Sequence, residues 1–170
     1  MNQAVVVAHI GLGSNLAGPA QQVRRALAEL AALPESRLLR HSGLYRSPPL
    51  GPQDQPDYVN AVAALATRLV PLALLDALQA LETGHRRVRS EHWGPRTLDL
   101  DLLLYGNRRL DLPRLQVPHP GLPLRNFVLY PLAEIDPQLE IPGHGPLAEL
   151  LARCPRGALQ SLETPTEPSI

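Results

Sequence analysis

Lysine is missing from the 170 residues: all sixteen basic side chains are arginine. That absence excludes a Walker-type phosphate loop, which needs its lysine, and Schiff-base chemistry on a side-chain amine. Any phosphate must be gripped by arginine forks, backbone N–H groups, histidine or a metal ion. A base-composition bias would also produce arginine excess, so the count alone carries no function. There is a single cysteine, Cys154, which rules out an internal disulfide framework and fits a reducing compartment. Net charge is also lacking, sixteen basic residues facing sixteen acidic ones, so neither nucleic acid nor a membrane surface is expected as a bulk partner. The N-terminal stretch has no basic region and too short an apolar run for a signal peptide or a span. The expectation is a cytoplasmic, soluble chain, monomeric by default.

What is present suits one globular domain, with 44% apolar and 19% charged residues. It is expected over residues 1–160, followed by a disordered tail over 161–170 that has little apolar content to hold it. Ala4 to Ile10 reads as a strand stopped by Gly11-Leu12-Gly13-Ser14-Asn15, and a helix follows from Pro19 to Leu33 with Val23, Ala26, Leu27 and Leu30 buried. Leu38 to Tyr45 reads as a second strand and Tyr58 to Leu69 as a third, with a stiff proline-rich loop between them. Pro71 opens a second helix running to about Thr83. Thr97 to Tyr105 is a strand, Leu110 to Leu112 a brief pairing segment, and Leu124 to Leu132 and Leu147 to Leu151 are short helices. The order β-α-β-β-α-β predicts an α+β ferredoxin-like sandwich, an antiparallel sheet with helices on one face.

The most informative segment is Trp-Gly-Pro-Arg-Thr-Leu-Asp-Leu-Asp-Leu-Leu-Leu-Tyr at 93–105. Side chains at i and i+2 of a strand share a face, so Asp99 and Asp101 point one way and Leu98, Leu100 and Leu102 the other. Two such charges roughly 7 Å apart repel by about 2 kcal/mol at an effective dielectric near 20, a cost that a divalent cation reverses. With Arg86, Arg87, Arg89 and Arg96 just upstream, the pattern reads as a magnesium and polyphosphate site. Gly11-Leu12-Gly13 fails as a dinucleotide fingerprint, since Leu16 holds the third glycine's place, and reads as a tight turn with Asn15 capping the helix. The loop from Ser47 to Asn60 reads as a rigid pocket wall suited to a planar heterocycle.

Gly11 to Asn15, the run from Ser47 through Pro48, Leu50 and Tyr58 to Asn60, Arg87-Val88-Arg89, Trp93 to Tyr105 and Val117-Pro118-His119 together resemble the 6-hydroxymethyl-7,8-dihydropterin pyrophosphokinases of folate biosynthesis. The resemblance spans about residues 5 to 140. It implies transfer of pyrophosphate from ATP, as co-substrate, to the pterin hydroxymethyl group. Asp99 and Asp101 would hold two Mg²⁺ ions, and Arg87 and Arg96 would neutralise charge on the transferred group. The register of the helix from Glu82 favours Arg87, whereas counting back from Trp93 admits Arg86. The pterin would lie among Ser47, Pro48, Leu50, Tyr58, Asn60, Trp93 and Phe127, with Asn15 nearby. The nucleotide would meet Gln79, Glu82, Arg89, Leu102, Arg114, His119 and Arg125. The loop before Trp93 is shorter than in some family members and lacks their lysine. From the residues alone, a Mg²⁺-dependent kinase of another heterocycle and a non-catalytic pterin or nucleotide-binding module stand as alternatives.

Overall fold

The computed structural model describes residues 4–16, 18–49, 55–86 and 97–162. Five strands form the body of the main sheet: β1 (Val6–Ser14), β2 (Ser36–His41), β3 (Tyr45–Ser47), β4 (Tyr58–Thr67) and β5 (Asp99–Tyr105). Helix α1 (Pro19–Ala31) joins β1 to β2, and α2 (Pro71–Arg86) joins β4 to β5. A hairpin, β6 (Leu110–Leu112) with β7 (Leu115–Val117), leads through a 3₁₀ turn at Leu122–Leu124 to α3 (Asn126–Ile135). A second small hairpin, β8 (Glu140–Ile141) with β9 (Gly145–Pro146), precedes α4 (Leu147–Ala152), and β10 (Gln160–Ser161) returns to the sheet.

The sheet order is β10-β3-β4-β1-β5, with β2 also paired to β4, and every pairing is antiparallel. The order β2-β4-β1-β5 is the ferredoxin-like arrangement that the element sequence predicts. α1 lays Val23, Ala26, Leu27 and Leu30 on the sheet, and α2 adds Leu74, Leu75 and Leu78. They meet Ile10, Leu12, Ala63, Leu65, Leu100 and Leu102, and each fully buried leucine there contributes about 2 kcal/mol.

Helices cover both faces, a correction to the one-faced sandwich expected. α3 and α4 pack Leu129, Leu132, Leu147 and Leu150 over Val62, Leu103 and Leu104 on the opposite face. The continuous apolar run of β5 is explained by this double burial. The pairing of β1 with β5 slips between His9 and Ile10, which face Leu104 and Leu102, so Leu103 is an extra residue. That bulge turns both Leu103 and Leu104 toward α3 while Leu100 and Leu102 still face α1 and α2.

Three other expectations shift. β1 does not stop at Gly11 but runs through it to Ser14. The strand expected from Leu38 to Tyr45 is two, because Ser42 leaves the ladder and its hydroxyl accepts the Val62 N–H at 3.0 Å. β10 pairs Gln160 and Ser161 with Arg46 and Tyr45, and Leu162 packs on the core, so the domain reaches beyond residue 160. The rest of the expected tail lies outside the described residues. Among the described residues, no helix is long and apolar enough to cross a membrane.

Candidate active site

At one end of the α3 face the sheet is left uncovered, and the register decides what meets there. Gly11 pairs with Val62 on one side and Asp101 on the other, and Gly13 pairs with Asn60 and Asp99. Alternation puts all six on one face. The glycines are therefore floor rather than turn, which corrects the tight-turn expectation. A Cβ on Gly13 would come within 3.2 Å of Asn60 Oδ1, and one on Gly11 within 3.4 Å of the Leu103 side chain. Gly13 in particular keeps the space between β4 and β5 open, since the contact at Gly11 would be an ordinary van der Waals one.

That space is a cavity of about 170 Å³. Of the residues expected around a heterocycle, Ser47, Pro48, Tyr58, Asn60 and Phe127 line it. Ser47 and Asn60 are buried, and Asn60 Nδ2 donates to Ser47 Oγ at 2.8 Å, which fixes the amide plane. Asn15 does not line the cavity, nor does it cap α1, whose N-cap is Gly18 at φ 69°. Its buried Nδ2 instead donates to Gln55 Oε1 at 3.2 Å and to the Pro56 carbonyl at 3.1 Å. Asn15 thus ties the end of the proline-rich loop to the end of β1, and Gln55, which sequence reasoning missed, joins the lining. Arg125, expected on the nucleotide side, lines this cavity with its guanidinium 5.8 Å from the Phe127 ring centroid.

A larger and more open cleft, about 520 Å³, lies beyond β5. Gln79, Glu82, Leu102, Arg114 and His119, which the resemblance assigns to the nucleotide, come together in its lining. Arg114 is held at its mouth, donating to Asp76 Oδ1 at 2.7 Å and to Gln79 Oε1 at 3.1 Å. Glu82 accepts the Leu100 N–H at 2.7 Å, anchoring α2 to the strand between the two aspartates. Leu112 and Pro113 of the β6–β7 hairpin also line the cleft and were not anticipated, while Gln116 and Pro120, which the resemblance sets at variable positions of the nucleotide pocket, line it too.

Asp99 and Asp101 are on the lining of both cavities. Asp101 is half exposed, and His119 Nε2 lies 4.0 Å from its Oδ1. His119 Nδ1 accepts the Gly121 N–H at 3.0 Å, so the neutral ring carries its proton on Nε2. Burial lowers the His119 pKa and the Arg125 guanidinium adds to this, against the pull of Asp101. The ring is therefore a neutral donor rather than a fixed cation. Two carboxylates suit a hard cation. Among the described residues no group of three or more His, Cys, Asp or Glu gathers as a metal cage. Such a pair fits Mg²⁺, which takes few protein oxygens and completes its shell with water and phosphate. Arg87, Arg89, Arg96, Trp93 and Leu50 lie outside the described residues.

A ferredoxin-like sandwich with an enclosed hydrogen-bonding pocket, an open polar cleft and a carboxylate pair on their common wall is the frame of a two-substrate transferase. The family model for 7,8-dihydro-6-hydroxymethylpterin-pyrophosphokinase matches residues 9–137, and the chain belongs to that family. The family's reaction is pyrophosphoryl transfer to hydroxymethyldihydropterin in folate biosynthesis. Among similar proteins is the 2-amino-4-hydroxy-6-hydroxymethyldihydropteridine pyrophosphokinase of Pseudomonas aeruginosa, 56% identical over 91% of this chain and 95% of that protein. The Haemophilus influenzae enzyme of the same name is 49% identical over 86% and 92%. The Plasmodium falciparum HPPK-DHPS crystal structure with pteroate matches in fold, with a TM-score of 0.72 at 12% identity. That match covers 89% of this chain and 43% of the longer Plasmodium chain.

Proposed function

We propose that this chain binds 6-hydroxymethyl-7,8-dihydropterin in the enclosed pocket and ATP with two Mg²⁺ ions in the open cleft. The pterin hydroxymethyl oxygen attacks the β-phosphorus of ATP, the diphosphate passes to the pterin and AMP leaves. The observation that carries this reading is that Asp99 and Asp101 line both cavities, so groups bound in either one meet at the same carboxylates. Bound there, Mg²⁺ would supply charge neutralisation at the phosphate oxygens.

The chain's own share is alignment and counter-charge. Ser47 and Asn60 present fixed donors and acceptors to the pterin edge, while Tyr58 and Phe127 offer aromatic faces. Pro48 and the stapled Gln55 close the loop side, and by resemblance Leu50 and Trp93 belong to the same pocket. Gln79, Glu82, Leu102, Arg114 and His119 hold the nucleotide, with Arg89 added by resemblance, and the His119 Nε2–H serves as a donor to phosphate oxygen. Arg125 acts from the pterin side, sharing a lining with the carboxylates. Arg87 and Arg96 meet charge as it develops on the transferred group, a role worth roughly 10³ to 10⁵ in rate in phosphoryl transfer. Holding oxygen and phosphorus in line removes much of the remaining barrier. The lone Cys154 suits a cytoplasmic setting.

Product analysis tests the reading. Mixed with ATP, Mg²⁺ and 6-hydroxymethyl-7,8-dihydropterin, the protein is expected to release AMP only when the pterin is present, with one diphosphorylated pterin per AMP. ADP as the product would make it an ordinary kinase, and tight pterin binding without turnover would make it a binding module.

A further inference from the structure

The apolar stripe of α2 recurs through Leu74, Leu78 and Leu81, and the next residue at that spacing is His85. Its side chain is completely buried, yet polar. Nε2 lies 2.7 Å from Glu29 Oε1 and Nδ1 lies 2.6 Å from the Gln22 amide oxygen, both on α1. Glu29 is held in turn by Arg25 Nε at 3.3 Å. None of these four residues lines either cavity. An apolar side chain would pack at this position without needing partners. A buried imidazole requires both its nitrogens to be met, so it fixes orientation more strictly than it adds stability.

What it orients is close by. Glu82 stands three residues earlier on the same helix, one turn away. Its carboxylate holds the N–H of Leu100, the residue between Asp99 and Asp101. A helix loses its internal bonding over its last turn, so the end of α2 depends on contacts of this kind. The chain of contacts runs from α1 through His85 to the end of α2, then through Glu82 to the peptide flanked by the two carboxylates.

We infer that His85 is a positioning residue for the transfer: clamped to Glu29 and Gln22, it keeps Glu82 on Leu100 and so sets how Asp99 and Asp101 are presented. The inference rests on reading those carboxylates as the Mg²⁺ pair. His85→Leu removes both hydrogen bonds at similar bulk, and His85→Gln retains part of them. Amide hydrogen exchange on the full chain reads the clamp directly, with Leu100 compared against Val62 of β4, whose N–H is held by Ser42 two strands away from β5 and out of reach of α2 contacts through Glu82. In His85→Leu, exchange at Leu100 is expected to rise about tenfold relative to Val62, the low end for a hydrogen bond to a charged group. The Mg²⁺ concentration for half-maximal turnover should rise with it while the pterin KM stays put, and His85→Gln should recover part of both. Equal acceleration at Leu100 and Val62 would reduce His85 to a packing residue and overturn the inference, as would an unchanged Mg²⁺ dependence. If His85→Leu does not fold, Glu29→Gln and His85→Gln give the same comparison. A wild-type chain without pterin-dependent AMP would instead sink the functional reading, on which the exchange measurement does not depend.

Discussion

At the scale of single residues the site is a set of charges and amides whose value lies in where the backbone holds them. Asp101 illustrates it: half exposed, 4.0 Å from a neutral imidazole nitrogen, and on the lining of both cavities. Asp101→Asn keeps the shape and removes one charge. Turnover should fall by roughly 10² to 10³, the size seen when one electrostatic group is removed from a transfer site. Calorimetry of the pterin alone should change little. Loss of pterin binding to the same extent would mean that the carboxylate serves the pocket rather than the cation. Asp99 and Asp101 stood out by their spacing on one strand face, and Tyr58 and Asn60 by their chemistry beside a rigid loop, whereas Ser47 and Phe127 were assigned to the site only by the family resemblance. Gln55 was not, because its place depends on a hydrogen bond from Asn15 across forty residues. Gly11 and Gly13 were read as a turn, although their spacing at i and i+2, the same as that of the two aspartates, was a signal that both share one face of a strand.

Elements place these residues through register and tethers. β1 works as the spine, carrying a glycine floor opposite Asn60 on β4 and the carboxylates on β5. The proline-rich loop reaches the pocket because Asn15 holds its far end at Gln55 and Pro56. Asn15→Ala removes two buried hydrogen bonds, a loss of about 1 to 3 kcal/mol in stability. The pterin KM should rise several-fold while the ATP KM is unchanged, as steady-state kinetics with each substrate varied in turn would report. A matching rise in both KM values would show that the tether supports the whole site. Strand and helix positions followed well from periodicity, α1 with its four buried residues above all. The β5 bulge did not, because an extra residue in one strand is defined only against its partner.

Across the whole molecule, the sheet is tied to the α3 layer through a half-buried polar cluster. His9 on β1 donates from Nε2 to Asp136 Oδ2 at 2.6 Å just past the end of α3, and Arg40 of β2 donates to the other carboxylate oxygen at 2.5 Å. Among the described residues His9 Nδ1 has no hydrogen-bond partner. Burial pushes the His9 imidazole below 6.5, against the attraction of Asp136. Burial would raise the Asp136 carboxyl, but hydrogen bonds from His9 and Arg40 outweigh it and hold it below 3.8. Unfolded His9 takes up its proton near 6.5 while the folded ring resists, so the unfolded chain binds more protons and stability falls as pH drops below that value. The Asp136 contribution is complete above 3.8 and is lost as pH falls through its lower folded value. Thermal melts should therefore show Tm declining on acidification below about pH 6.5, and His9→Phe should flatten the upper part of that decline. An unaltered slope in the variant would place the titrating group elsewhere.

The sequence by itself determined the element order and the buried stripes of the helices, because periodicity and side-chain type are local properties of the chain, and its motifs were enough for the family. Only the tertiary structure decided that helices cover both faces, that a glycine pair is a floor, that Arg125 lines the cavity of Ser47 and Asn60, and that Glu82 meets Leu100 between the aspartates while His85 meets α1. Each of these depends on which strands pair and in what register, and a backbone pairing between distant segments has no signature within either segment alone.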